Sequence, residues 1–510
     1  MSRYVRVFAP VVCLSLAAWL HCAPQQQPPQ FDLAFCTYVG GSGGENFRDV
    51  ATDSEGNIYV TGGTSSADFP TTPGAYDRTS DTGGADLGTG GPMDVFVTKL
   101  SPTGELVWST FVGGPNYDRA YAIEVGEDGS VFVAGRAGPG FPTSDDAIQP
   151  AFGGDTGPRG LYGKQDGFIV RLAPDGTRLL WATYFGGDDG GFIRDLDIDS
   201  VGNVCVVSPG NSRAQHPHVT AGTYDTTHNG AEDAVVAKIS ADGRRLIWGT
   251  YLGGSDDDGG GPSVRFDSRT GEVVVVANTS SPDLPTPNGH DRTYNGVSPT
   301  NGDAFLAKLT PDGADLVFAT YLGGSGEEGN GTHNLAVGPR GEIVAAHWTK
   351  STDIPILPGG LRSTHAGGTT DAIVWKFSPT GRLLANTYLG GNGDENIQGT
   401  VLDPQGNVYL SVDACTSTDF PVTPTAFQAR NGGGADAAFV MLSPDLAQVV
   451  YATYLGGRGH DGSREAALAP DGTYVCAGDT ASPQLPVRNA YDAELGGWTD
   501  GFVASFSAPR

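Results

Sequence analysis

Residues 371–391 read Asp-Ala-Ile-Val-Trp-Lys-Phe-Ser-Pro-Thr-Gly-Arg-Leu-Leu-Ala-Asn-Thr-Tyr-Leu-Gly-Gly. Residues 371–377 are rich in β-branched and aromatic side chains, which suit a pleated, half-buried strand. Ser378-Pro379-Thr380-Gly381 places Pro and Gly where a tight turn takes them, and 382–389 form a second strand that ends in Gly390-Gly391. Upstream, a short strand over 333–338 and a second over 342–349 flank the turn Pro339-Arg340-Gly341. The unit therefore has four strands and one long loop.

The unit recurs. Thr-Tyr-Leu-Gly-Gly or a near variant stands at 37–41, 110–114, 183–187, 250–254, 320–324, 387–391 and 453–457, with spacings of 73, 73, 67, 70, 67 and 66 residues. An Asp followed by a β-rich run also occurs seven times, at 94–100, 166–172, 233–239, 303–309, 371–377, 436–442 and 500–506. Repeats of this length mean stacked units, because one four-stranded sheet cannot bury both faces alone. Four short strands per unit define a propeller blade. The chain opens on a fourth strand near 32–40 and ends on a third strand at 500–506. The ends are complementary. The expected fold is an all-β, seven-bladed β-propeller closed by the N-terminal strand joining the C-terminal blade.

Four segments mark the unit in fixed order: Asp53-Ser54-Glu55-Gly56-Asn57-Ile58-Tyr59-Val60-Thr61-Gly62, then 66–76 with its Asp68-Phe69-Pro70, then 94–102 and 109–114. In this order they resemble the seven-bladed beta-propeller repeat family, abbreviated SBBP, over roughly residues 32–508. The third unit departs from the pattern, with His216-Pro217-His218 near the place of Asp-Phe-Pro. The resemblance implies fold and export and leaves activity open, since function lies in sites rather than folds.

Charge narrows the partners. The chain has 58 Asp and Glu against 30 Lys and Arg, a net charge of -28. Such a chain is repelled by phosphate backbones, which excludes nucleic acid, and anionic membrane surfaces are disfavoured in the same way. Divalent cations, glycans and proteins remain as partners, and a monomer is expected. Residues 1–22 read as an export signal, with Arg3 and Arg6 before an apolar run over 7–20 that is too short to span a bilayer comfortably. Cys22 would carry lipid in a lipoprotein signal, although His21 stands where a small residue is usual. Residues 23–31 read as a flexible linker and 32–510 as the propeller. No later segment is apolar enough to cross a membrane. The expected location is extracellular, periplasmic or on the outer cell surface. Cys36, Cys205, Cys415 and Cys476 share no short spacing and are expected to be small buried residues.

The candidate site is an acid four residues past each Gly-Gly: Glu45, Asp118, Asp258, Glu328, Glu395 and Asp461, with Gly191 as the exception. Carboxylates circling one face suit Ca²⁺, which takes six to eight oxygen ligands. The competing reading is that each caps backbone N–H groups in its own turn. No catalytic residue is assigned. Gly40-Gly41-Ser42-Gly43-Gly44 and Gly324-Ser325-Gly326-Glu327-Glu328-Gly329 match nucleophile-elbow and dinucleotide strings without the helix each requires. His216 and His218 are expected in a solvated loop rather than on a metal. The expected role is an exported, non-catalytic interaction or structural platform, with long loops at 79–92 and 153–164 carrying specificity. The alternatives are a polysaccharide lyase or hydrolase on a propeller scaffold, and a calcium-stabilised envelope component.

Overall fold

The computed structural model describes residues 30–81, 92–154, 163–187, 191–210, 215–297, 302–329 and 331–507. The export segment with Cys22, most of the 23–31 linker, and large parts of the 79–92 and 153–164 loops lie outside them. The regular structure of the described residues is entirely β. It forms seven antiparallel sheets, so the chain is a seven-bladed β-propeller.

Each blade counts its strands outward from the axis. The first blade runs Glu45–Thr52, Ile58–Thr64, Asp94–Leu100 and Leu106–Val112. The inner strands of the next three are Arg119–Val125, Asp195–Ile198 and Asp258–Phe266. The sixth and seventh begin with Asn396–Leu402 and Asp461–Leu468. In the fifth blade the inner strand is split into Glu328–Gly329 and Leu335–Val337. The short strand expected over 333–338 is shortened to Leu335–Val337, because His333 has φ +63°, a left-handed backbone that cannot belong to a strand.

The seventh sheet carries the closure. Asp32–Val39 pairs antiparallel with Asp500–Ser507, with Leu33 opposite Phe506 and Tyr38 opposite Phe502. Phe31, just before the strand, is buried, edge-on to Phe439 and tilted against Tyr451.

The recurring signatures have steric causes. A Cβ on the first glycine of each Gly-Gly pair would lie under 3.0 Å from the third-strand aspartate carboxyl of the same sheet, as at Gly40 with Asp500 and Gly390 with Asp371. That aspartate accepts loop N–H groups: Asp233 from Asn229 at 2.7 Å, Asp303 from Asn295 at 2.9 Å and Asp500 from Gly496 at 2.8 Å. The motif tyrosine ties the fourth strand to the loop that follows the second strand of the same blade. Tyr38, Tyr321, Tyr388 and Tyr454 donate to the carbonyls of Ser482, Ser281, Ser351 and Ser417 at 2.5–2.9 Å. Of the Asp-Phe-Pro segments, Phe69 stacks on Phe96 and Phe420 on Tyr454.

A second contact repeats around the ring. The turn between third and fourth strands places a left-handed glycine beneath an aromatic residue of the neighbouring blade. The pairs are Gly104 with Phe35, Gly176 with Trp108, Gly243 with Trp181, Gly313 with Trp248 and Gly381 with Phe318. In the sixth blade the sizes are exchanged. Leu446, buried at φ +57°, takes the glycine's place, and Ala385, at the aromatic's place on the adjacent fourth strand, packs against its cluster.

Candidate functional site

The six acids predicted as a ring are all buried. Each is engaged within its own blade junction. Asp461 accepts from Gly457 N–H at 2.7 Å, Thr480 hydroxyl at 2.5 Å and Ser482 hydroxyl at 2.7 Å. Asp258 takes Gly254 N–H and Ser281 hydroxyl at 2.6 and 2.7 Å, and Asp118 takes the N–H groups of Gly114 and Gly138. Glu45 and Glu328 accept paired Thr and Ser hydroxyls. Glu395 accepts from Gly391 N–H and the Cys415 thiol. These bonds hold the Gly-Gly turn against the second strand. Burial pushes the Asp118 carboxyl up to about 8 and Glu45 up to about 7.

The axis itself is built one position pair further along. Three residues past the acid position the blades supply Arg48, Tyr121, Arg194, Gly261, Gly331, Gln398 and Arg464 in order; one further on stand Asp49, Ala122, Asp195, Pro262, Thr332, Gly399 and Glu465. Arg48, Tyr121, Gln398 and Arg464 fall at register shifts in their inner strands. A β-bulge leaves its extra residue unpaired and re-aims it. At the axis the seven blades therefore present unlike side chains. The repeat keeps the residues that hold blades together and frees those facing the axis to differ.

Two layers result. In the first, guanidiniums from three blades surround one ring. Arg48, Arg119, Arg136 and Arg194 lie 5.5, 4.7, 5.3 and 4.9 Å from the Tyr121 centroid. Arg136 and Arg194 also lie 4.1 and 5.0 Å from Phe192, itself 5.6 Å from Tyr121. Arg119 Nη2 also donates to the Tyr121 hydroxyl. Burial alone would raise this phenol, and the arginines overcome it and pull it down to about 6. Arg48 is lowered to about 9 by burial and by the charges of Arg119 and Arg464. Arg464 bonds Asp413 and Asp479 at 2.7 and 3.2 Å. Arg48, Phe192 and Arg194 are half-buried, so solvent reaches this layer.

In the second layer His333 comes from the fifth blade to the second, donating from Nε2 to Tyr121 O at 2.9 Å. Around its Nδ1 stand Asp195 Oδ1 at 3.2 Å, Glu465 Oε2 at 3.8 Å and Asp49 Oδ2 at 3.9 Å. Burial opposes charge on this imidazole, and the three carboxylates outweigh it and raise it to about 10. Asp195 also bonds Arg265 Nη1 at 2.6 Å. Neither layer was picked out from sequence. The available signal was deviation: the positions that break the repeat are the ones that meet at the axis.

His216 and His218, expected in a solvated loop, are buried, and His218 stacks on Phe185 at 4.4 Å. Burial lowers them to about 3 and about 4. The four cysteines are buried free thiols. Among the described residues, no helix is long and apolar enough to cross a membrane.

Fold and axis thus define a closed seven-bladed β-propeller whose central side chains differ from blade to blade. Residues 35–70 match the family model for the SBBP beta-propeller repeat, within a chain whose described residues form seven blades. Solved structures similar to it include a protein of unknown function from Dyadobacter fermentans, at 12% identity over 94% of this chain and 100% of that one, TM-score 0.43. BamB from Moraxella catarrhalis aligns at 10% identity over 94% and 99%, TM-score 0.38. The Pan2 WD40 domain of Neurospora crassa aligns at 8% over 94% and 97%, TM-score 0.44. No curated protein matches the sequence.

Proposed function

We propose that this propeller is an exported binding protein that takes a carboxylate- or sulfate-bearing ligand, such as an acidic saccharide, at the arginine layer of its axis. The observation that carries this reading is four guanidiniums from three blades around the Tyr121 ring, in a chain of net charge -28. Arginine forks match carboxylate and sulfate oxygens in a planar, two-point geometry. The half-buried Phe192 beside them offers an apolar face, the mixture usual in ligand sites. The N-terminal run with Arg3 and Arg6 supports export.

Calorimetric titration with oligogalacturonate, a sulfated oligosaccharide and a neutral oligosaccharide tests the binding. The anionic ligands should bind, weaken with salt, and lose at least tenfold affinity in Arg48→Gln. Equal binding of the neutral oligosaccharide, or unchanged affinity in Arg48→Gln, refutes the proposal. The unlike groups at the axis also favour a second reading, a polysaccharide-acting enzyme, and new chain ends appearing in the same incubations would identify it.

A further inference from the structure

The second layer gathers acids that the anion reading leaves unused. Asp49, Glu124, Asp195, Asp197 and Glu465 act on one another there, and the cations acting among them are Arg265 and His333. Burial pushes the Glu124 and Glu465 carboxyls well up, so they are held either by protons or by a further cation. Glu465 Oε2 is buried without a hydrogen-bond partner, and so is His333 Nδ1; their residues are 2% and 0% exposed. Asp49, His333 and Glu465 offer ligand atoms that all lie within 4.8 Å of one another.

The tautomer fits a ligand role. A carbonyl oxygen accepts only, so Tyr121 O fixes the proton on Nε2 and leaves Nδ1 to face the carboxylates with either a proton or a metal. A ring nitrogen held by a carbonyl is the usual outer support of a metal-bound histidine. Ligands at about 2.1 Å from a tetrahedral ion stand about 3.4 Å apart. The Glu465 and Asp49 oxygens stand 3.8 and 3.9 Å from Nδ1, a few tenths of an ångström beyond that value, so small side-chain movements complete the site. One nitrogen with carboxylate oxygens is a donor set for Zn²⁺ or Mn²⁺ rather than for Ca²⁺, which prefers oxygen alone.

We propose that Asp49, His333 and Glu465, from three different blades and with Asp195 beside them, form a divalent transition-metal site that pins the blades together on the axis. Binding releases to solvent the proton on Nδ1 and any proton held by the Asp49 and Glu465 carboxyls, and no other bond changes. The site is separate from the six acids in the Gly-Gly turns.

The test uses the full mature chain, stripped with chelator and titrated with Zn²⁺ and, for its visible spectrum, Co²⁺. One equivalent per chain should bind, the unfolding midpoint should rise, and Co²⁺ should show a nitrogen- and oxygen-ligated spectrum. Glu465→Gln, close in shape, should weaken binding at least tenfold while keeping the wild-type circular dichroism. Asp49→Asn should do the same, and Asp461→Asn should leave binding unchanged. Failure of either ion to bind, unaltered affinity in Glu465→Gln, or loss through Asp461→Asn with Glu465→Gln unaffected overturns the proposal. Because the readout is metal binding alone, it stands or falls independently of anionic ligands.

Discussion

Replacing Phe35 by alanine tests the closure on which the ring depends. Phe35 is 1% exposed, lies in the Asp32–Val39 strand, and covers the Gly104 turn of the first blade from the last. It also shares a buried cluster with Val475, Ala477 and Val503, and so bridges the two ends of the chain. Truncating a buried phenylalanine costs about 3–5 kcal/mol, combining lost transfer energy with a cavity. Unfolding entropy of about 2.1 cal/mol/K per residue gives roughly 1 kcal/mol/K for a chain of this size, so the midpoint should fall by about 3–5 °C. Differential scanning calorimetry reads this directly, with Phe427→Ala, at a residue 40% exposed, as the comparison. If the first strand were a loose tail, Phe35→Ala would behave as a surface change, within about 0.5 kcal/mol. A midpoint shift below 1 °C, or one equal to that of Phe427→Ala, would refute closure through this strand.

Two further outcomes follow from the blade junctions. Burial raises the Asp118 and Asp303 carboxyls to about 8, so the folded chain holds protons that the unfolded chain has lost above its ordinary carboxylate pKa. Their stabilising effect is full at low pH and is lost as pH rises through about 8. Between pH 6.5 and 8, stability should fall more steeply with pH in the wild type than in Asp118→Asn, by on the order of 1 kcal/mol per pH unit for the retained proton; the other groups that titrate there are common to both chains, so equal slopes would exclude the assignment. In the sixth blade, Leu446→Gly should cost about 2–5 kcal/mol as a buried leucine is lost, and Ala385→Trp should cost about 1–3 kcal/mol by overpacking. Together they restore the aromatic-over-glycine contact of the other blades, so a double-mutant cycle should show at least about 2 kcal/mol of favourable coupling; additive losses would mean the two positions do not face each other.

Blade number, strand order and closure were legible because each rests on a local requirement that recurs seven times. Gly390-Gly391 tolerates no Cβ beside Asp371 and Ser417. Tyr388 must reach the Ser351 carbonyl. Such constraints leave the same letters at every copy. The six acids were legible as a set for the same reason, although their bonds to turns and hydroxyls emerge only when the first and second strands of each blade pair. His216 and His218 misled because polarity in a loop suggests solvent, whereas a neutral imidazole packs on Phe185 as another ring would.

By itself, then, the order of amino acids determined a closed ring of seven sheets, because strand propensity, turn chemistry and steric exclusion act over a few residues and repeat with the chain. The meeting of Arg48, Arg119, Arg136 and Arg194 around Tyr121, and of Asp49, His333 and Glu465 beneath it, was decided by tertiary structure. These residues lie up to several hundred positions apart. They become neighbours because closure brings every inner strand to one axis, and local bulges then turn residues out of register toward it.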